Sequence, residues 1–196
     1  FKIFMESKYF DKELLFEKDI YGHNTLIHLL LNGNIEILDI FLELDYFDEL
    51  LNKSYDIDNE PILSFICKDD DIVDIFIDSK YFSECWYQET NNLGENIFSI
   101  IIDPSYTSRC IIKLLKSKYF NNKYLLNKNI NGNTFLHKCA KYNTNLFKVL
   151  LKIIDKNIIT ELLYVKNNLG ETIFLLCCKE NSESGKYLLK SEHFSK

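Results

Sequence analysis

Asn129-Ile130-Asn131-Gly132-Asn133-Thr134-Phe135-Leu136-His137 is a polar turn centred on glycine that leads into a short apolar helix, Phe135 to Ala140. The same frame recurs along the chain. Gly22, Gly94, Gly132 and Gly170 each follow an Asp or Asn three residues earlier, namely Asp19, Asn91, Asn129 and Asn167. A fifth copy places Asn59 after Asp56, and Asn is the residue that best replaces Gly where the backbone needs positive φ. The five anchors at 22, 59, 94, 132 and 170 are 37, 35, 38 and 38 residues apart. A second phrase runs out of phase with the first. Ser7-Lys8-Tyr9-Phe10 returns as Ser79-Lys80-Tyr81-Phe82 and Ser117-Lys118-Tyr119-Phe120, with looser copies at 44–47 and, ending on Phe194, at 191–194. Two independent phrases sharing one period identify a repeat protein.

Each unit reads alike. A short apolar helix such as Thr25 to Leu31 follows the turn, and a polar break such as Asn32-Gly33-Asn34, or Lys141 to Asn145, comes next. A longer amphipathic helix is expected to run up to the Tyr-Phe phrase, as from Ile35 to Phe47, with apolar residues three and four apart. A variable segment holding a Leu-Leu pair, such as Leu50-Leu51 or Leu125-Leu126, is expected to add one helical turn. The chain is therefore read as one all-α solenoid. A partial unit 1–18 precedes units of about 19–55, 56–90, 91–128, 129–166 and 167–196. Phe1, Ile3 and Phe4 start in mid-unit, so a longer array is expected.

Composition excludes several classes. With 46% apolar and 27% charged residues the chain has enough material for a sizeable core. No apolar run reaches the ~18 residues of a membrane span. The formal net charge of -6 and the absence of a basic stripe argue against nucleic acid. Arg109 is the only arginine and Ala140 the only alanine beside abundant Lys, Asn and Ile, a bias that matches AT-rich coding. The six cysteines form no C-x-x-C pair, and most lie in apolar helical runs, as free thiols of a reducing cytosol would.

At 129–137 the sequence resembles the ankyrin-repeat family, whose unit opens Asp-x-x-Gly-x-Thr-Pro-Leu-His; Phe135 stands where Pro is usual. Leu26, Leu63, Thr172 and Phe174 continue the pattern, and Cys139-Ala140 and Cys177-Cys178 match the family's pair of small residues, a place taken by the bulky Leu29-Leu30 and Ile101-Ile102 in two other units. Pro104, between the helices of the third unit, points to an irregular turn there. The long Asn- and Lys-rich units look most like ankyrin proteins of giant DNA viruses that infect protists. The resemblance implies an ankyrin-type α-solenoid of about five helix-turn-helix repeats with a period near 37 residues. It also implies that Gly22, Asn59, Gly94, Gly132, Thr134, His137 and Gly170 serve the turns, and that a concave face binds a partner protein. On that face fall Tyr21, Asp58, Leu93, Asn131 and Leu169 before the anchors, His23, Glu60, Glu95, Asn133 and Glu171 after them, and Lys141 and Tyr142 at the end of a first helix. These positions vary between copies while the Gly and Leu positions do not. A cytoplasmic protein-binding scaffold is expected, in host cytoplasm or virion if the chain is viral. The alternatives are a self-assembling structural component and the substrate-receptor half of a ubiquitin-ligase adaptor.

No enzyme is expected, since no nucleophile elbow or clustered acid and base stands out. The isolated glycines cannot build a phosphate-cradling loop, so no cofactor or small-molecule substrate is expected. No H-E-x-x-H exists and no Cys or carboxylate sits at helical ligand spacing from a second His, so no metal is expected. Asp69-Asp70-Asp71 reads as acidic charge placed at a helix N-terminus. Trp86 is assigned either local packing or a partner contact, because Trp is favoured at interface hot spots.

Overall fold

Each turn is closed by its own Asp or Asn. The Asn129 Oδ1 accepts the N–H groups of Asn131 and Asn133, both at 3.0 Å, and the Gly132 N–H returns to the Asn129 carbonyl at 2.8 Å. Asp19, Asp56, Asn91 and Asn167 repeat this pattern with distances of 2.8–3.0 Å from side chain to backbone. A short side-chain oxygen thus stands in for a backbone turn, which is why Asp or Asn is required there. All five anchors adopt positive φ, from 53° at Asn59 to 81° at Gly22. Neighbouring turns are joined by backbone bonds: Ile57 N–H to Tyr21 C=O at 3.1 Å, then Asn92 to Asp58, Ile130 to Leu93 and Asn168 to Asn131, each at 3.0 Å.

The computed structural model describes residues 2–103, 105–106, 108–180, 182–191 and 193. Expectations resting on Phe1, Pro104 and Phe194 lie outside these residues. The chain begins with α1 (Lys2–Met5) and a 3₁₀ turn at Lys12–Leu15. After the first anchor come α2 (Thr25–Leu31), α3 (Ile35–Leu42) and α4 (Phe47–Asn52). The second anchor leads to α5 (Ile62–Ile66), α6 (Asp70–Ile77) and a 3₁₀ turn at Glu84–Tyr87. The third leads to α7 (Ile97–Ile100), α8 (Ser108–Lys116) and a 3₁₀ turn at Asn122–Leu126. The fourth leads to α9 (Phe135–Tyr142), α10 (Thr144–Ile153) and α11 (Lys156–Tyr164), and the fifth to α12 (Ile173–Glu180) and α13 (Ser182–Lys190). No strand occurs among the described residues.

Helices this short are unstable alone and must be held by packing. The first helices stack in series, α2 on α5, α5 on α7, α7 on α9 and α9 on α12, while α6 packs on α8 and α10 on α13. Leu26, Leu63, Phe98 and Leu136, each four residues past an anchor, are fully buried in this stack. Side-chain caps define the helix starts: Asn24 accepts from Ile27 N–H, Asn34 from Ile37, Asn96 from Ser99 and Asn143 from Leu146. Asp69 caps α6 in the same way and Asp70 and Asp71 fill its first turn, the acidic helix start expected for this run.

The second helices are shorter than expected. The helix assigned to 35–47 stops at Leu42, and Phe47 instead opens α4. The Ser-Lys-Tyr-Phe phrase forms a turn rather than a helix end. In all three copies the Ser Oγ accepts the Tyr N–H at 3.3 Å, and the Phe N–H returns to the Ser carbonyl at 3.0–3.3 Å. The hydroxyl competes with helix propagation and ends it. In the fourth unit the helix expected at 135–140 continues to Tyr142, and Asn143 alone separates it from α10 in place of the expected break at 141–145. Trp86 is 4% exposed and packs on Phe76 and Phe82, so of its two assigned roles local packing is the one realised. Cys67, Cys110, Cys139 and Cys177 are buried, and burial pushes the Cys177 thiol up to about 11; Cys85 and Cys178 are exposed. All six are free. The Cys177-Cys178 pair therefore turns only its first member into the core.

His137 is fully buried at the start of α9. Its Nδ1 lies 2.8 Å from Thr134 Oγ1 and accepts the Thr134 N–H at 3.3 Å, while Nε2 faces the Glu171 carbonyl of the next turn at 3.3 Å. This arrangement demands a neutral ring with its proton on Nε2. Burial lowers its pKa from the ordinary 6.5, partly offset by the Glu171 and Val165 carbonyls. The unfolded chain then takes up this proton before the folded chain does. The His137 contribution to stability is full above pH 6.5 and is lost as pH falls below it toward the lower folded-state value. Thermal unfolding from pH 7.5 to 5 should show a falling melting temperature, and His137→Gln should flatten that slope. Equal slopes for both proteins would refute the assignment.

Candidate functional site

The turns and first helices present one continuous face. On it the residues before the anchors point outward: Tyr21, Asp58, Leu93, Asn131 and Leu169 are all exposed, as is Tyr142 at the end of α9. The residues after the anchors tuck beneath the turns. Glu60 accepts the Ser64 hydroxyl at 2.6 Å. Glu95, only 8% exposed, accepts Lys138 Nζ at 2.8 Å and Asn129 Nδ2 at 3.1 Å. Asn133 Oδ1 accepts Asn167 Nδ2 at 3.0 Å, and Glu171 takes Lys179 at 3.1 Å and Asn167 at 3.0 Å. The Asn167 amide and Lys179 hold the Glu171 carboxyl below the usual carboxylate range. His23 is half-buried and faces Phe65 edge-on at 5.7 Å. The face therefore has two tiers, exposed tips and a hydrogen-bonded floor that fixes them.

Three tip residues escaped the sequence reading. Ile20, Ile57 and Ile130 each follow the closing Asp or Asn, and the signal available was an apolar residue recurring at one register inside an otherwise polar turn. With them, every tip carries an exposed apolar side chain: Ile20 and Tyr21, Ile57, Leu93, Ile130 and Leu169, all between 50% and 84% exposed. Asp58, Asn92, Asn131 and Asn168 fill the other tip positions. Each tip is tied to the next by the backbone bonds described above, so the apolar row is preorganised.

Between the last two units the face deepens into a groove of about 470 Å³, whose walls include Asn131, Lys141, Tyr142, Leu169 and Glu180. Lys141 lies 3.6 Å from Glu180 and over the Tyr142 ring at 5.1 Å. The charges of the groove are paired among themselves, with Lys138 on Glu95 and Lys179 on Glu171. The Thr134–His137 pair has the composition of a nucleophile and base, but it is fully buried and consumed by the helix cap. Among the described residues no helix is long and apolar enough to cross a membrane.

No protein-family model and no curated protein matches the sequence. Solved structures do. A chain from the complex of the Bd0816 predatory endopeptidase from Bdellovibrio bacteriovorus with immunity protein Bd3460 is similar over 97% of this chain and 91% of its own, with a TM-score of 0.69 at 19% identity. EF0377, an ankyrin repeat protein, is similar over 97% of this chain and 90% of its own, with a TM-score of 0.62 at 16% identity. At such identities the likeness establishes the fold, an all-α ankyrin-type solenoid.

Proposed function

We propose that the chain is a non-enzymatic scaffold that binds a partner protein across its turn tips and the groove beside them. The observation that carries this is the unbroken row of exposed apolar tips on a hydrogen-bonded floor. Apolar anchors in a rigid frame bind with little ordering cost, and aromatic and large aliphatic residues ringed by polar ones match the anatomy of interface cores. Similarity in shape to a chain from a complex between an endopeptidase and its immunity protein supports a protein partner. The overall acidity favours a basic partner surface, acting mainly on association rate, although the internally paired charges of the groove weaken that pull there. The AT-rich residue usage and the cysteines without disulfides support a giant-virus ankyrin protein aimed at a host factor in the cytoplasm.

The test compares wild type with a Tyr21→Ala, Leu93→Ala, Leu169→Ala variant as bait in host lysate, followed by affinity measurement on the captured protein. Exposed substitutions should leave stability within about 0.5 kcal/mol. Losing three anchors worth ~1–2 kcal/mol each should weaken binding by about 100-fold or more. Equal capture by both baits would remove the tip face from consideration.

A further inference from the structure

Asp19, His23 and His28 meet at the first full unit. His28 Nε2 lies 3.1 Å from Asp19 Oδ2, the His23 and His28 ring centroids are 5.6 Å apart, and one donor atom from each of the three lies within 4.8 Å of the others. Helical spacing did not reveal this set because the chain brings it together through a turn. Asp19 divides its two oxygens between two tasks. Oδ1 accepts the Tyr21 and His23 N–H groups that close the turn, which leaves Oδ2 directed at the imidazoles.

We propose that Asp19 Oδ2, His23 and His28 bind a divalent transition-metal ion of the zinc class on the turn face. Two imidazoles and one carboxylate are the donor set that such ions select over magnesium or calcium. Ligand atoms at ~2.0 Å from a tetrahedral ion stand about 3.3 Å from one another. The Asp19–His28 pair already meets that spacing, and His23, half-buried at the surface, closes the set by rotating its ring. Three protein ligands leave a fourth position open to solvent on the face that carries the apolar tips.

Comparison between units supports a local demand. The positions of Asp19, His23 and His28 are occupied by Asp56, Glu60 and Phe65 in the second unit and by Asn91, Glu95 and Ile100 in the third. They are Asn129, Asn133 and Lys138 in the fourth and Asn167, Glu171 and Leu176 in the fifth. Requirements of the fold recur in every copy, and this trio occurs once.

The repeat also supplies the decisive variant. Asn closes the turn natively at 91, 129 and 167, so Asp19→Asn keeps the Oδ1 acceptor and the fold while replacing the second carboxylate oxygen, the one facing His28, with an amide nitrogen that cannot ligate. The experiment is calorimetric titration with zinc chloride in a Cys85→Ser, Cys178→Ser background, which removes the two exposed thiols. One equivalent should bind. Asp19→Asn, His23→Ala and His28→Ala should each weaken it by at least about tenfold, the lower bound for losing even an outer partner of a ligand, with circular dichroism unchanged. Cobalt(II) should give a visible spectrum without sulfur charge-transfer bands. Binding no tighter than millimolar, or equal binding by Asp19→Asn, would overturn the proposal. Because Asp19→Asn leaves Tyr21, Leu93 and Leu169 in place, its outcome is independent of the partner-binding test.

Discussion

Gly22→Ala should cost about 3–5 kcal/mol of stability, whereas the same substitution at Gly170 should cost about 1–2 kcal/mol. Both residues have strongly positive φ, +81° and +76°, so at both an alanine side chain is strained where glycine is not. They differ in what a Cβ would meet. At Gly22 it would lie 2.8 Å from the Ile57 nitrogen and 2.9 Å from the Asp56 carbonyl carbon, backbone atoms that cannot swing aside. At Gly170 nothing lies within 4 Å. The clash at Gly22 also falls on the Ile57 N–H bond to Tyr21 that joins the first two turns. Urea unfolding followed by far-ultraviolet circular dichroism would measure both variants. Equal losses would mean that φ alone sets the cost and that close approach of successive turns contributes nothing.

Tyr87→Ala should be as damaging, at about 3–5 kcal/mol, and Tyr87→Phe should cost only about 1–2 kcal/mol. Tyr87 is fully buried, stacked on Tyr124 at 5.3 Å and on Phe98 at 5.9 Å, and edge-on to Phe82 at 5.8 Å. Truncation opens a cavity where the second and third units meet. Its hydroxyl donates to the Leu114 carbonyl at 2.9 Å near the end of α8, and phenylalanine would remove that bond while keeping the packing, leaving the carbonyl only the Ser117 N–H at 3.2 Å. Trp86, the single tryptophan, is buried beside it and reports the loss directly by fluorescence. A Phe variant as unstable as the Ala variant would show that the hydrogen bond, rather than aromatic packing, holds these units together.

The positions of the turns were legible from residues alone because each is closed within five residues. Asn129 reaches Asn131 and Asn133, and Gly132 supplies the positive φ. The same local logic could have located the ends of the second helices, since the Ser79 hydroxyl caps its own turn; the apolar spacing through Phe47 masked it, because Phe47 is buried from a new helix, α4. The apolar tips were legible by half. Tyr21, Leu93 and Leu169 stood out beside an anchor, whereas Ile57 and Ile130 resembled ordinary turn residues until their exposure was known.

The sequence by itself determined the period, the five anchors and the all-helical repeat, because each follows from hydrogen bonds and φ preferences among near neighbours. Only the tertiary structure decided that Trp86 and Tyr87 are core, that Glu95 belongs to the floor rather than the tips, and that Asp19 faces two histidines. Burial of a residue depends on what the unit some 37 positions away lays against it, and that contact exists only once the units have stacked.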